Sequence, residues 1–131
     1  MKNLEPLKAT AYKPGIRYIC PLSGDVDLIA SITALCTQEK VDAASFSIMG
    51  SIFSATIGVF DPKQQVFVTH IEKTANEILS CTGFVSRKSG DYELQATILL
   101  ADQQGRTTGG RLFAETIIAA AELHIQTLLK A

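Results

Sequence analysis

The chain has 131 residues, enough for one hydrophobic core, and folding at this length removes roughly two-thirds of the unfolded surface from water. Hydrophobic residues make up 47% and charged residues only 19%, so polar surface is scarce for a lone monomer and the composition leans towards an oligomer. A net charge of −1, with no run of lysine or arginine, excludes strong general affinity for nucleic-acid backbones. No apolar stretch reaches the ~20 residues of a membrane span, and Met1 to Tyr12 lacks a signal-peptide core, so a cytoplasmic protein with no membrane partner is expected.

In chain order, residues 1–14 read as an extended N-terminal arm, and 15–131 as a single domain without linker or internal repeat. An apolar strand runs from Ile16 to Leu22 and ends at Ser23-Gly24-Asp25. From Val26 to Lys40, Leu28, Ile29, Ile32, Leu35 and Cys36 recur at three- and four-residue intervals, which predicts a helix with one buried stripe. Ser23, Gly24 or Asp25 is its expected cap, with Asp27 in the first turn facing the positive end of the helix dipole.

Phe46 and Ile48 alternate on even positions, whereas Phe53, Ala55, Ile57 and Val59 alternate on odd ones. The slip predicts a bulge or bend near Gly50-Ser51. Asp61-Pro62 closes this segment, and Val66, Val68 and His70 share one side of the next strand. Glu77 to Ser86 and Tyr92 to Leu100 read as a hairpin around Arg87-Lys88-Ser89-Gly90-Asp91. Leu94, Ala96, Ile98 and Leu100 point to its apolar face, while Glu93, Gln95, Thr97 and Leu99 make the opposite face polar enough to meet water, a ligand or a polar interface. The last segment alternates strictly at Ile117, Ala119, Ala121, Leu123 and Ile125, yet its alanines also suit a helix, and periodicity leaves both open. Counted as β it gives six or seven strands against one clear helix: an α+β domain, mainly antiparallel sheet with helical cover.

Three cysteines, Cys20, Cys36 and Cys81, lie far apart without a C-x-x-C pair and read as buried free thiols. Neither histidine, His70 or His124, is tied by pattern to a nucleophile such as Ser80, Thr82 or Ser86. Gly109-Gly110 lacks the helix start and lysine of a phosphate loop and reads as a tight turn.

The ordered set Gly24-Asp25, Ile48-Met49-Gly50-Ser51-Ile52, Glu77-Ile78-Leu79-Ser80-Cys81-Thr82-Gly83, Leu100-Ala101-Asp102, Gly109-Gly110-Arg111-Leu112 and Ala121-Glu122-Leu123 resembles the plants-and-prokaryotes conserved (PPC) domain along nearly the whole chain. That resemblance implies an antiparallel sheet flanked by helices, a final β-strand and assembly into a homotrimer. Many prokaryotic members carry an H-x-H pair before the L-A-D turn and a third histidine after Gly-Gly, a set suited to zinc. The matching positions are Gln95, Thr97 and Arg111, and no amide, hydroxyl or guanidinium replaces neutral imidazole there, so no metal or other cofactor is expected.

The resulting reading is a non-enzymatic trimeric binding module, with Gln95, Thr97, Gly109, Gly110, Arg111 and Glu77 as candidate ligand-binding residues. Its expected partner is a small anion or another protein. Arg111 alternatively pairs with Glu77, Glu115 or Glu122 and only stabilises the assembly. DNA binding follows by family analogy alone, without the Arg-Gly-Arg core used by plant members. An enzyme related to the metal-dependent acetolactate decarboxylases is the third reading, and it needs the histidines that are replaced.

Overall fold

A computed structural model describes residues 2–131; Met1, the first residue of the expected arm, lies outside the described residues. Among the described residues six strands and one helix follow in the order β1 (Tyr12–Ser23), α1 (Leu28–Gln38), β2 (Ala43–Asp61), β3 (Val66–Glu72), β4 (Asn76–Lys88), β5 (Asp91–Ala101) and β6 (Thr107–Lys130). All pairings are antiparallel, in the order β1-β6-β5-β4-β2-β3 with β2 also bonded to β6. The extra pairing closes a circuit β2-β4-β5-β6-β2 around the apolar core, and leaves β1 and β3 as edges. The ambiguous C-terminal segment is thus a strand. β1 also starts earlier than its apolar run, taking in Tyr12, Lys13 and Pro14 because Lys130, Leu129 and Leu128 pair with them.

Two strands are long enough to serve two neighbours on one edge. β2 pairs with β4 through its first half and β3 through its second; β6 pairs with β5 first and β1 later. Such strands must bend, and register shifts between β2 and its neighbours supply the bends. Gly50 (φ 132°) sits in one of them, where a Cβ would lie 2.6 Å from the Ala121 Cα on β6. The change of side falls later than the expected Gly50-Ser51 step: Phe46, Ile48 and Ile52 are buried, then Ala55 and Ile57. Phe53, expected on the Ala55 side, is consequently exposed, as is Val59.

In α1, Leu28, Ile32 and Cys36 are fully buried against the sheet, one residue per turn. Its cap is Asp27 rather than any residue before it: Oδ2 accepts from the Ala30 N–H at 2.9 Å. The helix therefore spans less than the expected Val26 to Lys40. It ends where Lys40 adopts φ 55° and the Val41 N–H reaches back to the Cys36 carbonyl at 2.9 Å. Ile52, Leu100, Ile118, Leu123 and Val85 complete the dry centre. Cys36 and Cys81 are buried in it and Cys20 is only partly covered; burial pushes the Cys81 thiol up to about 12 and also raises Cys36. Among the described residues no helix is long and apolar enough to cross a membrane.

Candidate functional site

The site is built on the outer face of β4, β5, β6 and β2, and its register is set by the loop joining β5 to β6. Asp102 organises that loop: Oδ1 accepts from the Gln104 and Arg106 backbone N–H groups, each at 2.9 Å, and Oδ2 from Arg106 Nε at 3.0 Å. The Arg106 backbone N–H, with smaller help from Gln104 and the guanidinium, holds the Asp102 carboxyl below its ordinary value. With the loop fixed, Thr97 stands opposite Arg111, Leu99 opposite Gly109 and Ile98 opposite Gly110. Thr82 lies opposite Thr97 on the other side of β5, and Gly58 opposite Arg111 on the other side of β6. A row Thr82, Thr97, Arg111, Gly58 thus crosses four strands, with Gln95 two residues along β5 on the face of Thr97.

Gly109-Gly110 is not a turn. It lies inside β6, where strands approach closely on both sides: a Cβ on Gly109 would meet the Ile98 carbonyl at 2.7 Å, and one on Gly110 the Ile57 Cγ2 at 2.7 Å. These glycines let the backbones that carry Thr97, Arg111 and Gly58 pack side by side.

Gln95, Thr97, Gly109, Gly110 and Arg111 come together in an open cleft of 650 Å³. Thr82, Phe60, Phe67 and Phe84 also line it. The Arg111 guanidinium carbon sits 4.9 Å from the centre of the Phe67 ring, which meets Phe60 edge-on at 5.3 Å and Phe113 at 5.7 Å. Glu77 stands apart, paired with Ala101 and Ser51, five residues along β4 from Thr82 and so roughly 16 Å away.

Nor does the chain supply Arg111 with the carboxylate partners offered by its sequence. Among the described residues, no acidic side chain lies within 4.0 Å of it. Glu122 contacts His124, Oε1 to Nε2 at 2.6 Å, and the Glu115 backbone is turned into a bulge at φ 70°. By contrast Arg87, in a larger hollow of 1080 Å³ that shares Phe84 and Gln95 with the cleft, is already engaged. It donates to the Tyr92 hydroxyl at 2.8 Å and lies 3.7 Å from Asp42.

Gln95, Thr97 and Arg111 together do not fit a zinc-type ion. Arg111 offers only N–H donors and a fixed positive charge, its guanidinium lies over an aromatic ring, and Gln95 and Thr97 supply neutral oxygen. Among the described residues no three His, Cys, Asp or Glu side chains converge elsewhere.

One residue with a second job was hidden in the sequence. Asp27 caps α1 with one oxygen and with the other accepts from the Glu115 and Thr116 N–H groups at 2.7 and 3.0 Å. The Thr116 hydroxyl, buried, in turn accepts from the Thr56 N–H at 3.1 Å and donates to the Phe113 carbonyl at 3.0 Å. This chain of bonds fixes the bend in β6 just beyond Arg111 and Phe113.

The family model described as the Plants and Prokaryotes Conserved (PCC) domain matches residues 9–129. The chain belongs to this family. Among solved structures, the PPC chain is similar to a metal-containing protein from Archaeoglobus fulgidus, at 27% identity over 95% of this chain and 87% of that one, with a TM-score of 0.88. A PPC protein from Pyrococcus horikoshii matches at 23% identity with a TM-score of 0.89, over the same 95% and 87%. A candidate DNA-binding protein from Bacteroides thetaiotaomicron matches at 19% identity and 0.78, over 88% and 82%. None of the curated proteins matches the chain. The PPC fold is therefore a mainly antiparallel sheet with one short helix here.

Proposed function

We propose that this PPC protein is a non-enzymatic homotrimeric binding module that takes a small anion at Arg111, with Thr97 and Gln95 as neighbouring hydrogen-bonding groups. The observation that carries the reading is a guanidinium on the wall of a cleft, free of any carboxylate within 4.0 Å among the described residues. Such a group is a ready partner for a carboxylate or phosphate. Assembly into a trimer is supported by the amount of apolar surface that one chain leaves in water outside the cleft: Phe53, Val66, Val68, Ile71, Leu79 and Leu99 are all exposed. A closed threefold ring covers two complementary patches on every copy and terminates. In this reading binding is confined to the domain from residue 15 onwards, and the expected arm before it contributes its last residues, Tyr12 to Pro14, to β1.

A thermal-shift panel of small anions on the intact protein tests it. Binding raises the melting temperature because the ligand selects the folded form, and Arg111→Ala removes the rise. A panel without any shift, or shifts that survive Arg111→Ala, would overturn the assignment. DNA association is the second reading, favoured by the candidate DNA-binding relatives from Bacteroides thetaiotaomicron and Ralstonia eutropha. It requires retardation of an A/T-rich duplex at low salt, where backbone contacts are strongest.

A further inference from the structure

We infer that the anion taken at Arg111 is an aromatic monocarboxylate, an inference that rests on the anion-binding reading above and narrows it to a chemical class. Charge comes first. Arg111 is the sole charged side chain lining the cleft among the described residues, so one negative charge balances it and a second has no partner. A phosphate dianion would bring a second charge to a wall that is otherwise apolar or neutral and offers it no cation, so it gains little there over a monoanion. A carboxylate matches the planar fork of the guanidinium one to one.

The second observation is the shape and material of the wall. Phe67, with its ring under the guanidinium at 4.9 Å, and Phe60, edge-on to it at 5.3 Å, form a shelf on one side of Arg111. Phe113 extends the shelf over Gly58, whose missing side chain leaves room for the ring. These phenyl groups are partly in water, with Phe60 46%, Phe67 38% and Phe84 40% exposed, and a flat apolar body lying against them would remove that surface from solvent. On the other side of Arg111, Thr97 stands directly across the strand pair and offers a hydroxyl to the second carboxylate oxygen. At 650 Å³ the cleft has the size of a small-molecule site.

The test is calorimetric titration of the intact protein with four probes: naphthoate, its neutral analogue naphthamide, acetate, and inorganic phosphate. Naphthoate is expected to bind about tenfold or more tightly than each of the other three, the amide losing the charge pair and the two small anions losing the ring contacts. Arg111→Gln should abolish the preference for naphthoate over naphthamide, and Thr97→Val should weaken naphthoate while leaving naphthamide unchanged. Equal binding of naphthoate and naphthamide would overturn the inference, because the charge would then be idle. Phosphate or acetate binding as tightly as naphthoate would overturn it too, while leaving the anion site standing. Binding of no anion at all would remove both. If Arg111→Gln fails to fold, the ranking of the four probes on the unaltered protein still decides.

Discussion

Replacing Asp27 by alanine is a sharp probe of how the site is held, because one carboxylate serves two distant pieces of chain. The change removes the helix cap to the Ala30 N–H and both bonds to the β6 bulge at Glu115 and Thr116. Loss of the cap costs about 1 kcal/mol. At the bulge, Glu115 is exposed and water can replace its bond, but Thr116 is fully buried and its N–H is left short of a partner, at a cost of about 2 kcal/mol. The sum is about 3 kcal/mol. For 131 residues the unfolding entropy is about 0.28 kcal/mol/K, so the midpoint should fall by roughly 11 °C. Asp27→Asn keeps one acceptor oxygen and should lose about half as much. The assay is thermal unfolding followed by circular dichroism at one fixed protein concentration. A fall of no more than about 4 °C for Asp27→Ala, near 1 kcal/mol, would show that the bulge holds itself and that Asp27 is merely a cap.

Two further outcomes concern titration. Since the N–H donors of Arg106 and Gln104 hold Asp102 below its ordinary 3.8, the unfolded chain takes up this proton first as acid is added. The stability Asp102 contributes is thus whole above that value and is lost as pH falls through the lower folded one. The difference in urea midpoint between the unaltered protein and Asp102→Asn should be constant at neutral pH and shrink in acid, and a constant difference throughout would contradict the bonding described. With Cys81 raised to about 12 and Cys36 raised by burial, both thiols stay protonated in the folded protein at mildly alkaline pH. A thiol reagent should label Cys20 alone until denaturant is added, and rapid native labelling of all three would place the core elsewhere.

How far the sequence could be read depended on whether a feature was local. Leu28, Ile32 and Cys36 announce their helix because the pattern that buries them lies within one element. The cap did not announce itself: Ser23, Gly24, Asp25 and Asp27 are all suitable, and the choice is made by N–H groups 88 and 89 residues away. Phe53 shows the same limit. Its parity matches Ala55, but the register shift between them turns it to solvent. Gly109-Gly110 has the composition of a turn, and only the approach of β5 and β2 on either side explains glycine inside a strand.

The candidate site was legible in part for the same reason. Gln95, Thr97 and Arg111 were singled out from the resemblance alone; the structure brings them to one cleft, and the alternation along β5 put the first two on an outward face. Phe60 and Phe67 were missed as its wall. Nothing in their local pattern distinguishes them from ordinary strand residues. They reach Arg111 only because β3 folds back on β2 with Phe60 opposite Phe67, beside the point where Gly58 meets Arg111. Glu77 was included on its motif, and the length of β4 separates it from the cleft.

Native mass spectrometry of the purified protein reads the assembly and its bound species together. With 14.1 kDa per chain, three copies give 3 × 14.1, or about 42 kDa, and the account predicts that mass with no transition-metal adduct and a mass increase on adding a small anion. A species of 14.1 kDa alone, or one carrying stoichiometric zinc, would contradict it.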